Sequence, residues 1–248
     1  YLREHIISDA RVHYAYRDVG GIAPNVVQGH SRVHYFIRAP KSWQVKEIYK
    51  RVVDVAEGAA KMTGTEMTYE LYAGLSDYIP NHVLSEVLHE SMEEIGAPKY
   101  DEADFALASK FFHETATPDE MEAKRASLRK LFGADHMEEI EAHPLHTSIA
   151  PLVWNGKVQA GSTDVGDVQH IQPVLTFNTG GKVSGLHSVD FDIVDDELAY
   201  VVTAKIFALS AYRLLKNGAE KAKEVVENYH PIFTKEAYIQ SRRPSGLR

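Results

Sequence analysis

Two segments near the start of the chain alternate apolar and polar residues in the same way. RVHYAYR at 11–17 sets Val12, Tyr14 and Tyr16 against His13, Ala15 and Arg17, and RVHYFIR at 32–38 repeats the pattern with Val33, Tyr35 and Ile37. A period of two predicts strands with one buried face. GGIAPN at 20–25 lies between them as a glycine-rich reversal. The period changes over 43–62. Val45, Ile48, Tyr49, Val52, Val55, Ala56, Ala59 and Ala60 recur at helical spacing, and Gly64 stands as a stop. Alternation returns at 65–74 with Met67, Tyr69 and Leu71, which predicts a further strand. The sum is a small antiparallel sheet with helical cover, an α+β arrangement. YLREHI at 1–6 reads as the tail of an earlier helix.

LSDYIPN at 75–81 reads as a hinge, and helical periodicity dominates after it. Val83, Leu84, Val87, Leu88, Met92 and Ile95 form a stripe that ends at Gly96. Thr117, Pro118 and Glu120 spell a capping box that opens a helix to about residue 131. The polar, histidine-rich stretch 134–147 reads as an irregular excursion. IAPLVW at 149–154 reads as a buried strand followed by an Asn155-Gly156 turn. VQHIQPVLTF at 168–177 reads as another strand, with Pro173 marking an edge or bulge. From Asp195 a long helix, apolar nearly all round, should pack inside an α/β layer and stop near Asn217-Gly218. A short helix over 219–229 follows.

Length and composition narrow the class. The 248 residues suit one large domain or two modest ones. With no cysteine there is no disulfide framework, thiolate metal site or cysteine nucleophile. A net charge of −8 opposes a nucleic-acid partner. No wholly apolar run of about eighteen residues is present, so no membrane span is expected, and a cytoplasmic location is. The opening at Tyr1 suggests a piece of something longer.

Several groups of residues offer chemistry. His82, Glu86, His89 and Glu93 share one helix face, as metal ligands or simply as its solvated side. His136, His143 and His146, among Glu138, Glu139 and Glu141, could take zinc adventitiously. Asn25 and Arg38 would form a carboxylate clamp if both project from the same end of the strand pair. Otherwise they are a turn asparagine and a rim arginine. GSTDVGDVQH at 161–170 lacks the lysine of a phosphate loop and the terminal glutamate of a calcium loop. Its Ser162 and Thr163 can donate to a ligand oxygen, or the stretch is an Asx-type turn. His187, presented by GLHSVDFD beside acids, suits a metal or serves no site at all.

The order GGIAPNVV, IRAP, AEGAAKMTGT, YIPN, STDVGDV and GLHS resembles the zinc-dependent aminoacylase and carboxypeptidase family of metallopeptidases. The likeness runs through nearly all the chain and is weakest at 98–147 and after 229. It implies a fold of mixed α/β and α+β class. Residues 1–80 would be an α+β dimerisation (lid) domain without its first helix, and 81–248 the C-terminal part of an α/β, zinc-exopeptidase-like catalytic domain. It implies that Asn25 and Arg38 bind the substrate's carboxylate, that Ser162, Thr163, Asp164 and Gly166 wall the substrate, and that His187 is a metal ligand. The implied substrate is a small amide, an N-acyl or N-aroyl amino acid or small peptide. The implied cofactor is a divalent metal, zinc or manganese, and the implied partner a second copy, a homodimer through the lid. The family's other ligands and its glutamate base find no match here. No catalytic residue is therefore assigned, and this chain alone is expected to bind no metal and to be inactive. A non-catalytic dimerisation or ligand-binding module on the same scaffold is the alternative.

Overall fold

The computed structural model describes residues 1–115, 117–132, 145–154, 158, 161–183 and 187–242. In chain order the elements are β1 (Arg11–Asp18), β2 (Arg32–Arg38), α1 (Ser42–Thr63), α2 (His82–Ile95), α3 (Glu102–Thr115), α4 (Pro118–Phe132), α5 (Val165–Gln169), β3 (Lys182–Val183), β4 (Asp192–Ile193), α6 (Asp196–Glu227) and α7 (Lys235–Ser241). The fold is thus mixed helix with small antiparallel sheets. Two compact units share the chain: residues 1–79, 157–172 and 231–248 form the first, and 80–156 and 173–230 the second.

In the first unit the two RVHY segments pair as the alternation predicts. Val12 lies opposite Ile37, Tyr14 opposite Tyr35 and Tyr16 opposite Val33, with an irregularity between Tyr16 and Asp18. α1 covers one end of this hairpin. Its Ile48 and Val52 meet Ala10, Val12, Ile37, Ala39 and Ile6 in the unit's apolar core. Gly64, at φ 65°, closes the helix in the left-handed conformation that a residue with a Cβ adopts at a cost. The buried face is shorter than expected. Tyr14 and Tyr16 remain 55% and 65% exposed, because α1 reaches only the Val12–Ile37 end. Residues 65–74 form no strand, since no ladder partner pairs with them among the described residues. The expected helix tail at the start is one 3-10 turn, Leu2–His5, anchored by Arg3, whose Nε and Nη2 donate to the Val12 carbonyl at 3.1 and 2.8 Å.

In the second unit α2 packs on α6. Asn81 caps α2 by accepting from the Leu84 amide at 2.9 Å. Val83 and Val87 are buried on one side and Val202 and Ile206 on the other. Buried Ser85 and Ser91 satisfy their hydroxyls on the carbonyls of Asn81 and Val87. Arg213 on α6 bonds Glu90 at 2.5 Å and Glu94 on α2. A second cluster holds Ala108 of α3, Leu145 and Val183, with Tyr100, Phe105 and Val194 around it. The capping box forms as read: the Thr117 amide donates to Glu120 at 2.8 Å, and the Glu120 amide to Thr117 Oγ1 at 3.3 Å. The stop at Asn217-Gly218 also forms, as a break in α6 where these residues take φ of 53° and 72°.

Other expectations are corrected. Residues 149–154 form no strand, and Leu152, Val153 and Trp154 are exposed. The 168–177 strand is replaced by α5 and a turn. α6 is not enclosed in a layer: Tyr200, Phe207, Tyr212 and Leu215 face solvent, and only 17% of its most apolar stretch is buried. By length and composition it is the one described helix able to cross a membrane, which corrects the expectation that none would qualify. Its ion pairs to α2 are those of a helix packed within a protein. Residues 133–144 and 155–156, which include most of the irregular excursion, with His136 and His143, and the Asn-Gly turn, lie outside the described residues, whereas His146 stacks on Phe132 at 5.8 Å.

Candidate functional site

The hairpin face turned away from α1 is set by strand alternation. β1 places Arg11, His13, Ala15 and Arg17 on it, and β2 places Arg32, His34, Phe36 and Arg38. None of these eight is acidic, but the register irregularity after Tyr16 also sets Asp18 opposite Arg32 at the loop end. Their contacts confirm a shared face. The Arg17 guanidinium holds His34 Nδ1 at 3.3 Å through Nε and at 3.0 Å through Nη2. A donor on that nitrogen makes it an acceptor, so the His34 proton sits on Nε2. The His34 ring is 5.0 Å from Phe36 and 6.1 Å from Tyr72, and the Arg38 guanidinium lies 5.9 Å from the Phe36 centroid. Arg38 itself is exposed.

The GSTDVGDVQH stretch has two halves of opposite character. Ser162, Thr163 and Asp164 are exposed, whereas Gly166, Asp167, Gln169 and His170 are buried. The exposed half turns into α5 through local bonds: Thr163 O accepts from the Gly166 amide at 3.3 Å and Asp164 O from the Asp167 amide at 3.0 Å. The buried half is clamped to residues 74–79. Asp167 Oδ1 accepts from the Ser76 amide at 2.9 Å and from Arg242 Nη2 at 2.5 Å. Arg242 also donates to Gly74 O at 3.0 Å and Ser76 Oγ at 2.6 Å. Gln169, only 1% exposed, accepts from the Ile79 amide at 2.8 Å. His170 Nε2 donates to the Asp77 carbonyl at 2.9 Å, and the His170 carbonyl takes the amides of Ile232 and Phe233, both at 3.0 Å. Gly166 allows this approach, since a Cβ there would collide with the Ser76 carbonyl. The amides of 76, 77 and 79 are all held, and the boundary between the two units follows directly, after Ile79 and within the expected hinge.

Asp77 joins the clamp to α1. Its Oδ1 accepts from the Ser42 amide at 3.2 Å and Ser42 Oγ at 2.6 Å, and its Oδ2 from Lys41 Nζ at 3.1 Å. Burial alone would push this carboxyl up. The bonds from Ser42 and Lys41 outweigh burial and hold it below its ordinary value of 3.8. The carboxylate also stands at the positive end of α1.

The structure distributes the expected site residues unevenly. Arg38 is on the basic face, and Ser162, Thr163 and Asp164 are the exposed rim of a clamped loop whose Gly166 is buried. Asn25 lies in the exposed loop that joins Asp18 to Arg32, at the hairpin end opposite Arg38. Six residues at about 3.3 Å each separate Arg32 from Arg38, roughly 20 Å. Strand pairing by itself therefore does not bring Asn25 and Arg38 together, contrary to the expectation that both project from one end. His187 is exposed in a turn. Among the described residues no three His, Asp or Glu side chains converge to hold a metal, and zinc needs three or four donors. The described residues thus do not fit a metal by themselves. His82 stacks on Trp154 at 3.8 Å, and His89 faces Glu93 at 3.7 Å, so that helix face is occupied structurally. Asp167, Gln169, His170 and Arg242 were not found by sequence reasoning. Their polarity reads as surface, and nothing local signals a partner 75 residues away.

No family model matches this chain. It is 38% identical over 181 residues to a subunit of the p-aminobenzoyl-glutamate hydrolase of Escherichia coli (strain K12), covering 70% of this chain and 37% of that protein. The chain is a relative of that hydrolase. Over 98 residues it is also 30% identical to Xaa-Arg dipeptidase of Mus musculus, covering 38% of this chain and 22% of that one. Both relationships agree with the amidohydrolase and peptidase resemblance carried by GGIAPNVV, STDVGDV and GLHS. The chain spans well under half the length of either relative.

Proposed function

We propose that this chain supplies the carboxylate-binding part of an amidohydrolase that cleaves an N-acyl or N-aroyl amino acid, of the p-aminobenzoyl-glutamate kind, or a small peptide. The hairpin face that ends at Arg38 carries the reading. Around Arg38 and its paired Arg11 it presents basic side chains, with Asp18 at the far, loop end opposite Arg32, on a chain whose overall charge is −8. A guanidinium takes a carboxylate through two parallel hydrogen bonds, which positions the amide for cleavage. Ser162, Thr163 and Asp164, the exposed rim of the clamped loop, line the substrate, while Asn25 stands at the other end of the hairpin. A divalent metal, zinc or manganese, polarises the amide carbonyl in such enzymes. His187 is its ligand only alongside donors that the described residues do not provide. The role of the chain itself is binding and orientation. A homodimer contact through residues 1–80 and a cytoplasmic location complete the reading.

A second reading, a binding module without catalysis, is favoured by the lack of convergent metal donors among the described residues. The test is to incubate the chain with p-aminobenzoyl-glutamate and zinc or manganese, following p-aminobenzoate release and, separately, equilibrium binding. Binding without release, weakened by Arg38→Gln, is the expected result. Equal binding by Arg38→Gln removes the carboxylate seat, and release by this chain alone refutes the binding-only role.

A further inference from the structure

The hairpin register puts Arg11 directly opposite Arg38. Paired residues of an antiparallel ladder have Cα atoms about 5 Å apart, so the two side chains rise from one face of the hairpin, and both residues are exposed. Like charges at directly opposed positions oppose strand pairing. An anion lying between them turns that repulsion into two charge-assisted contacts.

Arg11 is oriented by the backbone rather than by an acid. Its Nη1 donates to the carbonyls of Ser8 at 2.6 Å and Ala10 at 2.8 Å. A guanidinium carries five N–H donors, so the edge formed by Nε and Nη2 keeps the fork that grips a carboxylate. A cleft of about 330 Å³ opens beside this residue. Arg3, Arg11 and His13 are its ionisable lining, Ile6 and Ile7 are among its apolar walls, and no acid lines it.

We infer that Arg11 is the second half of a two-guanidinium seat and selects acyl amino acids whose side chain carries a carboxylate of its own. This rests on the reading that Arg38 holds the main-chain carboxylate. One residue bearing two carboxylates a short methylene arm apart spans the two forks. An isosteric amide in place of the second carboxylate leaves Arg11 without its counter-charge. A site built for a polar group discriminates against the analogue that lacks it.

The test uses the whole chain in NMR titrations, which read weak binding directly. N-benzoyl-glutamate and N-benzoyl-glutamine are compared on wild type, Arg11→Gln, Arg11→Lys and Arg38→Gln, with circular dichroism to confirm folding. Wild type is expected to prefer the glutamate compound about tenfold. Arg11→Gln should abolish the preference while still binding the glutamine compound, Arg11→Lys should keep part of it, and Arg38→Gln should weaken both ligands. A preference that survives Arg11→Gln, or shifts that inorganic sulfate reproduces in full, overturns the assignment of Arg11 and leaves Arg38 standing. Failure of wild type to bind either ligand, or indifference to Arg38→Gln, overturns the underlying carboxylate reading and this inference with it.

Discussion

Replacing Arg242 by alanine tests whether the clamp holds the exposed rim of Ser162–Asp164 in place. The change removes the donors to Gly74 O, Ser76 Oγ and Asp167 Oδ1 and leaves Asp167 Oδ1 to the Ser76 amide. The Asp167 side chain is 11% exposed and that of Arg242 35%. Breaking a fully buried pair costs about 3–5 kcal/mol, and an exposed pair contributes about 0–1 kcal/mol. Partial burial places the loss near 2 kcal/mol. Urea unfolding of Arg242→Ala, Asp167→Asn and the double variant measures it. Asn at 167 can still accept from Ser76 and carries no stranded charge. The double variant should therefore lose about 1 kcal/mol less than the sum of the singles. Hydrogen exchange should show the α5 amides opening faster in Arg242→Ala. A wild-type urea midpoint together with unchanged exchange at 166–170 refutes the clamp.

Three further outcomes are expected. Gly166→Ala should destabilise the chain by about 2 kcal/mol through the clash with the Ser76 carbonyl, while Gly161→Ala, with none of the described residues within 4 Å of the added carbon, should unfold like wild type; thermal melts of the pair decide it. Asp77 is held below its ordinary value of 3.8, so its stabilisation is present above about pH 4 and is lost as pH falls through the depressed folded value. Asp77→Asn should flatten the acid limb of the stability curve, and an unchanged limb contradicts the assignment. The solvent-facing Tyr200, Phe207, Tyr212 and Leu215 of α6 should bind a hydrophobic dye and drive concentration-dependent association; sedimentation of Phe207→Glu should show less of it, and identical behaviour of the variant sinks the idea.

What the sequence disclosed, and what it hid, follows from which forces are local. The hairpin strands, α1 with its Gly64 stop, the Thr117 capping box and the Asn217-Gly218 break were all legible, because each is written in neighbouring residues. The alternation at Met67, Tyr69 and Leu71 misled, since a strand also needs a partner edge, which periodicity does not report. At 165–170 the apolar pattern pointed the wrong way. The buried residues there are Asp167, Gln169 and His170, which are held by hydrogen bonds and not by apolar area. The candidate site shows the same division. Arg38 and the loop at 162–166 could be named from the order of motifs. The register that separates Arg38 from the turn of Asn25 and sets it beside Arg11 is a property of pairing, as is the reach of Arg242.

The carboxylate seat at Arg38 is tested most directly by titrating the wild-type chain with N-benzoyl-glutamate and with its dimethyl ester while following the amide signals of β1 and β2. The account predicts saturable shifts centred on Arg11, Phe36 and Arg38 for the free acid and none of comparable size for the ester. Equal shifts with the ester, or shifts confined to residues outside the hairpin, would contradict it.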